Sequence, residues 1–181
     1  MIVFAFLIAA NEISHAKDPD KDQGLFGIIQ LSYVPNHEYI QYWWNQAYIY
    51  DDLGSHVRSL NFIMGYYILP SRLSLGAGFG LDGYFNPQHN TAPLYGDLRY
   101  YFPKRRNAFY GRLNYGGYLP LGGPITTTGS YFRIGAGYKV FLSKKFCMNF
   151  DVSYAPSKIV NNENDYSKVK GIAFSLGFLL F

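Results

Sequence analysis

Cysteine, charged residues and long apolar runs are all scarce in this sequence of 181 residues. The single cysteine, Cys147, excludes a disulfide-stabilised scaffold. The longest uninterrupted apolar run spans residues 2–10. A membrane-spanning helix needs about 20 such residues, so a helical membrane protein is excluded. Charged residues make up 15% of the chain, well below the roughly 25% of an ordinary soluble domain.

Aromatic residues and glycine are abundant instead. The chain contains 18 Tyr, 15 Phe and 2 Trp, together 19% of all residues, and 19 Gly. This content excludes intrinsic disorder, because disordered chains are poor in aromatic and β-branched residues. The length fits one domain, and the composition indicates an all-β chain.

The N-terminal segment has the features of a secretory signal peptide. The apolar run at 2–10 is followed by polar residues, and Ser14 and Ala16 supply the small residues that precede a cleavage after Ala16. No basic residue precedes the run, and a short buried strand or helix is the alternative. The predicted organisation is therefore a signal peptide at 1–16, a polar lead-in at 17–23 and a barrel domain at 24–181.

Eight segments of alternating character follow, each long enough for a tilted membrane-spanning strand. The connections after the second, fourth and sixth segments are short and the others are long, which is typical of an up-and-down barrel whose two ends face different environments. The sequence thus predicts an eight-stranded antiparallel transmembrane β-barrel. The predicted strands are 25–34, 57–69, 72–84, 94–102, 108–118, 130–142, 146–155 and 171–181.

The two faces of these strands differ in chemistry. Large apolar side chains share one face, and the charged residues within strands fall on the other, which is also rich in glycine. Eight strands enclose a narrow interior that bulky side chains from every strand would overfill. We therefore expect the apolar face to meet lipid and the charged face to form a structural polar network in the lumen, with a pore lining as the alternative. The expected network comprises Asp82, Asp97, Arg99, Arg112, Arg133, Lys139 and Asp151.

Strand registers follow from the same alternation. A two-residue turn at Pro70 and Ser71 would pair Leu69 with Arg72 and, further along, Leu60 with Leu81. In the fourth and fifth predicted strands, one register places Asp97 opposite Arg112. The other places Arg99 opposite Arg112, which like-charge repulsion disfavours. We expect the first register, with an Asp97–Arg112 ion pair.

Residues 94–104 (LYGDLRYYFPK) and 137–154 (GYKVFLSKKFCMNFDVSY) resemble small outer-membrane β-barrel proteins of Bacteroidota-type bacteria, whose general architecture is that of OmpA/OmpX-type barrels. The resemblance covers about residues 24–181. It implies an integral protein of the cell outer membrane with both termini in the periplasm. It also implies outer-membrane lipids and the barrel-assembly machinery as partners. That machinery reads a C-terminal strand ending in Phe, so Phe181 is the expected assembly signal, although it is out of phase with the apolar face.

The net charge of +4 does not indicate nucleic-acid binding. A nucleic-acid site needs basic residues along one groove or face, whereas here they crowd the short-turn end. We therefore expect no nucleic-acid partner. This basic rim either contacts anionic lipid headgroups or keeps the turns solvated. It comprises Arg72, Lys104, Arg105, Arg106, Lys144 and Lys145.

No residue pattern supports catalysis, a metal or a cofactor. The four histidines (His15, His37, His56 and His89) lack a second ligand at metal-site spacing. Some barrels of this size modify lipid A through a Ser/His or Asp/His set near the outer rim. Such a set could be drawn only from Ser55, His56, Ser59, Asp82 and His89, and no motif supports a triad.

The first long connection, 35–56, contains six aromatic residues. Aromatics at a membrane edge form a girdle, and they also serve as contact residues for a partner, here an unknown extracellular one. The sequence therefore favours a non-enzymatic envelope protein with a structural or surface-interaction role. The alternatives are a narrow porin-like conduit for small solutes or hydrophobic molecules and a lipid A-modifying enzyme. The loop aromatics are Tyr39, Tyr42, Trp43, Trp44, Tyr48 and Tyr50.

Overall fold

The computed structural model describes residues 23–35, 38–43, 46–50, 55–85, 88–102, 107–122, 127–142, 146–162 and 165–180. The expected signal peptide (1–16), the lead-in up to residue 22 and Phe181 lie outside the described residues. In the part of the chain that is described, no helix is long and apolar enough to cross a membrane.

The described residues form β-strands joined by turns and irregular segments. In chain order the strands are β1 (Gly24–Pro35), β2 (Glu38–Trp43), β3 (Gln46–Tyr50), β4 (His56–Leu69), β5 (Leu73–Phe85), β6 (His89–Thr91), β7 (Pro93–Phe102), β8 (Ala108–Tyr118), β9 (Thr128–Phe141), β10 (Phe146–Tyr154), β11 (Ser157–Asn162), β12 (Asp165–Lys170) and β13 (Ile172–Leu180).

Eight of these strands close a barrel. The order is β1-β4-β5-β7-β8-β9-β10-β13, every neighbouring pair is antiparallel, and β13 pairs back onto β1. The predicted all-β, eight-stranded antiparallel barrel is confirmed. Closure leaves no free edge among these eight strands, which is how a barrel satisfies its backbone hydrogen bonds.

Side-chain burial alternates along the strands with a period of two, as the pleat requires. In β7 every second residue is buried, and the residues between are exposed. The exposed positions of the barrel carry large apolar groups, including Phe109 (65% exposed) and Tyr115 (70% exposed). The buried positions carry charges, amides and tyrosines. The apolar skin is therefore outside the barrel and the polar residues are inside it.

The register predicted for β4 and β5 is confirmed, with Leu60 opposite Leu81. The predicted pairing at the turn is wrong, because Leu69 pairs with Leu73 after a bulge, not with Arg72. The backbone N–H of Arg72 instead donates to the carbonyl oxygen of Leu69 at 3.0 Å. Ser71 has a φ of 56°, so Pro70 and Ser71 fill the centre of a turn that needs a left-handed second residue.

The register expected for β7 and β8 is wrong. Arg99 lies opposite Arg112, and Asp97 lies opposite Asn114. The like-charge pair that the sequence argument rejected is therefore present. The barrel tolerates this like-charge pair because a third strand supplies a neutralising carboxylate.

The sheet extends beyond the long-loop end of the barrel. The hairpin of β10 and β13 continues without change of register into β11 and β12, past a hydrogen bond from the Ala155 amide to the Gly171 carbonyl (2.9 Å). The start of β9 pairs with β11, β12 pairs with β2, and β2 pairs with β3. We call this five-stranded extension the upper sheet. The connections expected at 35–56 and 156–170 therefore contain strands.

Candidate functional site: the barrel interior and the upper sheet

All seven charged side chains of the expected lumen network lie inside the barrel. None is more than 4% exposed, and Asp97, Arg99 and Lys139 are fully buried. Burying charges is costly unless they are paired and hydrogen-bonded. The interior is arranged in three layers that neutralise or enclose them.

The central layer holds two carboxylates and two guanidinium groups. Asp97 accepts hydrogen bonds from Arg99 Nε at 2.7 Å and from Asn114 Nδ2 at 2.6 Å. Arg112 Nη2 lies 4.0 Å from Asp97 Oδ2, so the expected ion pair exists only as a long, diagonal contact. Arg112 Nη1 donates instead to Asp151 Oδ1 at 2.8 Å.

Asp151, on β10, explains why the two arginines can face each other. It also accepts hydrogen bonds from Gln30 Nε2 at 2.8 Å and from the Tyr110 hydroxyl at 3.0 Å. Each guanidinium thus has its own carboxylate, since Arg99 is paired within its own strand and Arg112 is paired with β10. Repulsion across one strand pair therefore does not decide the register, because the neutralising group comes from another strand.

The layer towards the long loops is built around Arg133. Its two terminal nitrogens donate to Ser32 Oγ and Ser59 Oγ, each at 3.2 Å, and its guanidinium lies 5.2 Å from the centre of the Tyr131 ring. Asp82 of β5 is also buried, and it lies opposite Ser59 of β4 in the register.

The layer at the short-turn end is aromatic. Lys139 Nζ lies 4.5 Å from the ring centre of Tyr101 and 5.8 Å from that of Tyr67, in positions suited to cation–π attraction. Ring contacts connect Phe26, Tyr67, Tyr101 and Tyr110, with centroids 5.1–5.7 Å apart. These inward tyrosines were not predicted from the sequence. The alternation along the strand could have identified them, because Tyr101 is two residues from Arg99 and therefore points to the same side.

These layers leave the central cross-section of the barrel without solvent-accessible surface. Side chains lining an open pore are accessible to solvent, whereas Asp97, Arg99, Asn114 and Lys139 show no accessible surface. Glycines make this packing possible. A Cβ at Gly78 would collide with the Tyr95 ring, and one at Gly137 would collide with the Tyr110 ring.

Known proteins resemble this chain in fold rather than in sequence. No protein-family model matches the chain, and no curated protein matches it. Among solved structures, the outer membrane protein OprG from Pseudomonas aeruginosa matches with a TM-score of 0.52 at 13% identity, over 90% of this chain and 97% of that one. AlkL, an outer membrane protein solved in DMPC bilayers, matches with a TM-score of 0.57 at 15% identity, over 91% and 93%.

The fold is that of the small outer-membrane β-barrels. Because the interior of this barrel is closed, groups that contact a ligand or partner must lie at the rim, on the loops or on the outer face. The candidate catalytic residues and the loop aromatics were predicted to lie in these regions.

The contacts that the structure describes do not join the rim residues into a catalytic set. Ser59 and Asp82 face each other inside the barrel. His56 occupies an outward position of β4 and stacks on Phe85, with ring centroids 4.4 Å apart. His89 stacks on Tyr84 at 4.1 Å. Ser55 is buried, and His15 and His37 lie outside the described residues. Among the residues that are described, no group of three or more possible metal ligands exists.

Five of the six loop aromatics lie in strands of the upper sheet. Tyr42 stacks almost parallel on Tyr166 of β12, with centroids 4.6 Å apart. Tyr48 is exposed, and its hydroxyl donates to Gln46 Oε1 at 3.0 Å. The backbones of Tyr39 and Trp43 lie in β2, and that of Tyr50 lies in β3. Trp44 lies outside the described residues.

Proposed function

We propose that this chain is a non-enzymatic, integral outer-membrane barrel without a through-pore, which acts in envelope structure or surface interaction through its upper sheet. The observation that carries the proposal is the inversion of the barrel: the charges are buried inside, and the large apolar side chains are exposed outside. Exposed apolar side chains occur on all eight barrel strands, whereas soluble monomers expose apolar patches of only a few hundred Å². This apolar belt therefore supports contact with lipid.

The proposed orientation rests on the two ends of the barrel. In bacterial barrels the short turns face the periplasm and the long loops face outwards. The proposal therefore puts the turn at Pro70 and Ser71 on the periplasmic side, together with the start of β1 and the end of β13, and puts the upper sheet outside the cell. The same proposal includes outer-membrane lipids and the barrel-assembly machinery as partners, and an unidentified extracellular partner at residues 35–56.

The closed interior favours this function over a porin-like conduit. Conductance in planar bilayers tests the choice. We expect the unmodified chain to give no stable unitary conductance. A control variant in which Asp97, Arg99, Arg112 and Asp151 are all replaced by serine removes bulk from the central layer without leaving a member of either pair uncompensated, and it should conduct. Stable unitary conductance from the unmodified chain would refute the proposal and support the conduit.

The enzymatic alternative is tested separately. A lipid A-modifying enzyme needs a nucleophile and a base within hydrogen-bond reach, and His56 points away from Ser59 and Asp82. We expect the lipid A mass profile of cells to be the same with and without the chain. Loss or gain of an acyl chain that depends on His56 or His89 would establish the enzyme instead.

A further inference from the structure

Two lysines lie directly opposite each other on the outer face of the upper sheet. Lys158 of β11 pairs with Lys168 of β12 in the register, and both side chains are exposed. Like charges directly opposite in an antiparallel pair destabilise the sheet. The arrangement therefore suggests that an anion shared between them is part of the functional state.

Stacked tyrosines hold these two ammonium groups in place. Lys158 Nζ lies 4.6 Å from the ring centre of Tyr166, and Lys168 Nζ lies 5.1 Å from that of Tyr42. The one described ion pair on this face joins Lys170 Nζ to Glu38 Oε2 at 3.9 Å. None of the described ion pairs includes Lys158 or Lys168. Two positive charges thus lie opposite each other on one face without a counter-charge among the side chains that the structure describes.

An apolar groove lies lower on the same side of the barrel. Its volume is about 710 Å³, and most of its lining residues occupy outward positions of β1, β8, β9, β10 and β13. Ala136 is a small outward residue among larger ones in this lining. Its lining includes Ala136, Tyr138, Phe150, Val152, Phe174 and Leu31.

The groove and the lysines are connected by one hairpin. Val152 and Phe174 line the groove on β10 and β13, and these strands continue as β11 and β12 to Lys158 and Lys168. Lys158 lies six positions after Val152, which is about 20 Å along the strand at about 3.3 Å per residue. With a tilt of about 40°, this is about 15 Å along the membrane normal, half of the apolar thickness of a bilayer.

We propose that this outer face binds one phosphorylated glycolipid of the outer leaflet. An acyl chain lies in the groove over Ala136, and a phosphate group bridges the ammonium groups of Lys158 and Lys168. The inference rests on the proposed outer-membrane location, because it needs the upper sheet to stand at the headgroup level.

Binding can be measured with the full chain refolded into phosphatidylcholine nanodiscs that contain a small fraction of lipid A, by native mass spectrometry of retained lipid. We expect retention of bisphosphorylated lipid A over lipid A with the same acyl chains but no phosphates. Replacing both lysines (Lys158→Gln, Lys168→Gln) should weaken retention roughly 2- to 30-fold, as expected for two exposed charge contacts. Lys170→Gln is the control and should have little effect, because it removes a positive charge of the same face that Glu38 already neutralises.

A second pair of variants tests the groove without altering charge. Ala136→Phe should fill the groove and reduce retention, whereas Ile134→Phe, at an outward position that does not line the groove, should not. Equal competition by soluble glucosamine bisphosphate, which lacks acyl chains, would overturn the lipid assignment.

The two proposals fail in different ways. Insertion into the nanodisc, followed by heat-modifiable migration on gels, reports on the barrel alone. A chain that inserts but shows no preference for the phosphorylated lipid overturns this inference and leaves the proposed function intact. A chain that does not insert overturns both.

Discussion

The buried Asp97–Arg99 pair allows a sharp test of how the interior is stabilised. Asp97→Asn keeps the shape of the side chain but removes its charge. Arg99, which is fully buried, then lacks its carboxylate, because the other central carboxylate already pairs with Arg112 and accepts bonds from Gln30 and Tyr110. Leaving one member of a buried pair uncompensated costs about 3–5 kcal/mol. We expect a loss of that size in the free energy of unfolding.

The assay is urea unfolding of the protein in phospholipid vesicles, followed by the far-UV circular dichroism of its strands. Adding Arg99→Met to the Asp97→Asn variant removes the stranded charge, so the double variant should recover at least half of the loss, since replacing a whole buried pair by apolar groups is close to neutral. Lys170→Gln breaks the exposed pair with Glu38 and should cost at most about 1 kcal/mol.

Two results would refute this account. A cost of less than about 1 kcal/mol for Asp97→Asn would mean that water or lipid headgroups reach Arg99, so that the central layer is not closed. A double variant that is less stable than the single one would mean that Arg99 acts mainly through other contacts, such as its position 5.4 Å from the Tyr110 ring centre.

Two further predictions use substitutions, and a third uses chemical labelling. Gly116→Ala should cost about 1–3 kcal/mol, because the new Cβ would collide with the Leu94 carbonyl oxygen, whereas Gly111→Ala meets no atom within 4 Å and should leave the urea midpoint unchanged. Leu98→Arg should destabilise the barrel in vesicles by about 2–4 kcal/mol if this outward position faces lipid, and a change near zero would place it in water. Cys147, which is fully buried, should resist a water-soluble maleimide until urea unfolds the protein, and rapid labelling of folded protein would contradict a closed short-turn end.

The fold could be predicted because its main signal is local. Alternation with a period of two is imposed on each strand by the pleat, and each strand must satisfy it separately against lipid and lumen. The face occupied by Asp97, Arg99 and Arg112 was therefore readable from sequence, as was the register of β4 and β5. In each case the information lies within one strand or one hairpin.

The register of β7 and β8 could not be predicted in the same way. Asp151 is 39 residues from Arg112, and it neutralises that arginine from a strand that does not pair with either β7 or β8. Electrostatics in a closed barrel is a property of the whole cross-section, because every inward side chain meets those of non-adjacent strands across a narrow lumen. A prediction from β7 and β8 alone therefore leaves out the carboxylate that neutralises Arg112.

The upper sheet was hidden for a related reason. Its strands β2, β3, β11 and β12 are five or six residues long, too short for alternation alone to distinguish them from a polar loop. Their pairing is long-range, since Tyr166 of β12 meets Tyr42 of β2. Only the closure of β13 onto β1 brings the two hairpins together. The pairing of β2 with β12 can therefore be predicted only once the closure of the barrel is known.

The closed interior also restricts where function can reside. The inward charges of the central layer are committed to one another, with Asp97 bound to Arg99 and Asn114, and Asp151 bound to Arg112. Using any of them to bind a solute would break a buried pair and leave a charge uncompensated, at a cost of several kcal/mol. Lys158 and Lys168 carry no such commitment among the described residues. Recognition is therefore least costly on the outer face of the upper sheet, where binding an anion relieves a repulsion instead of breaking a pair.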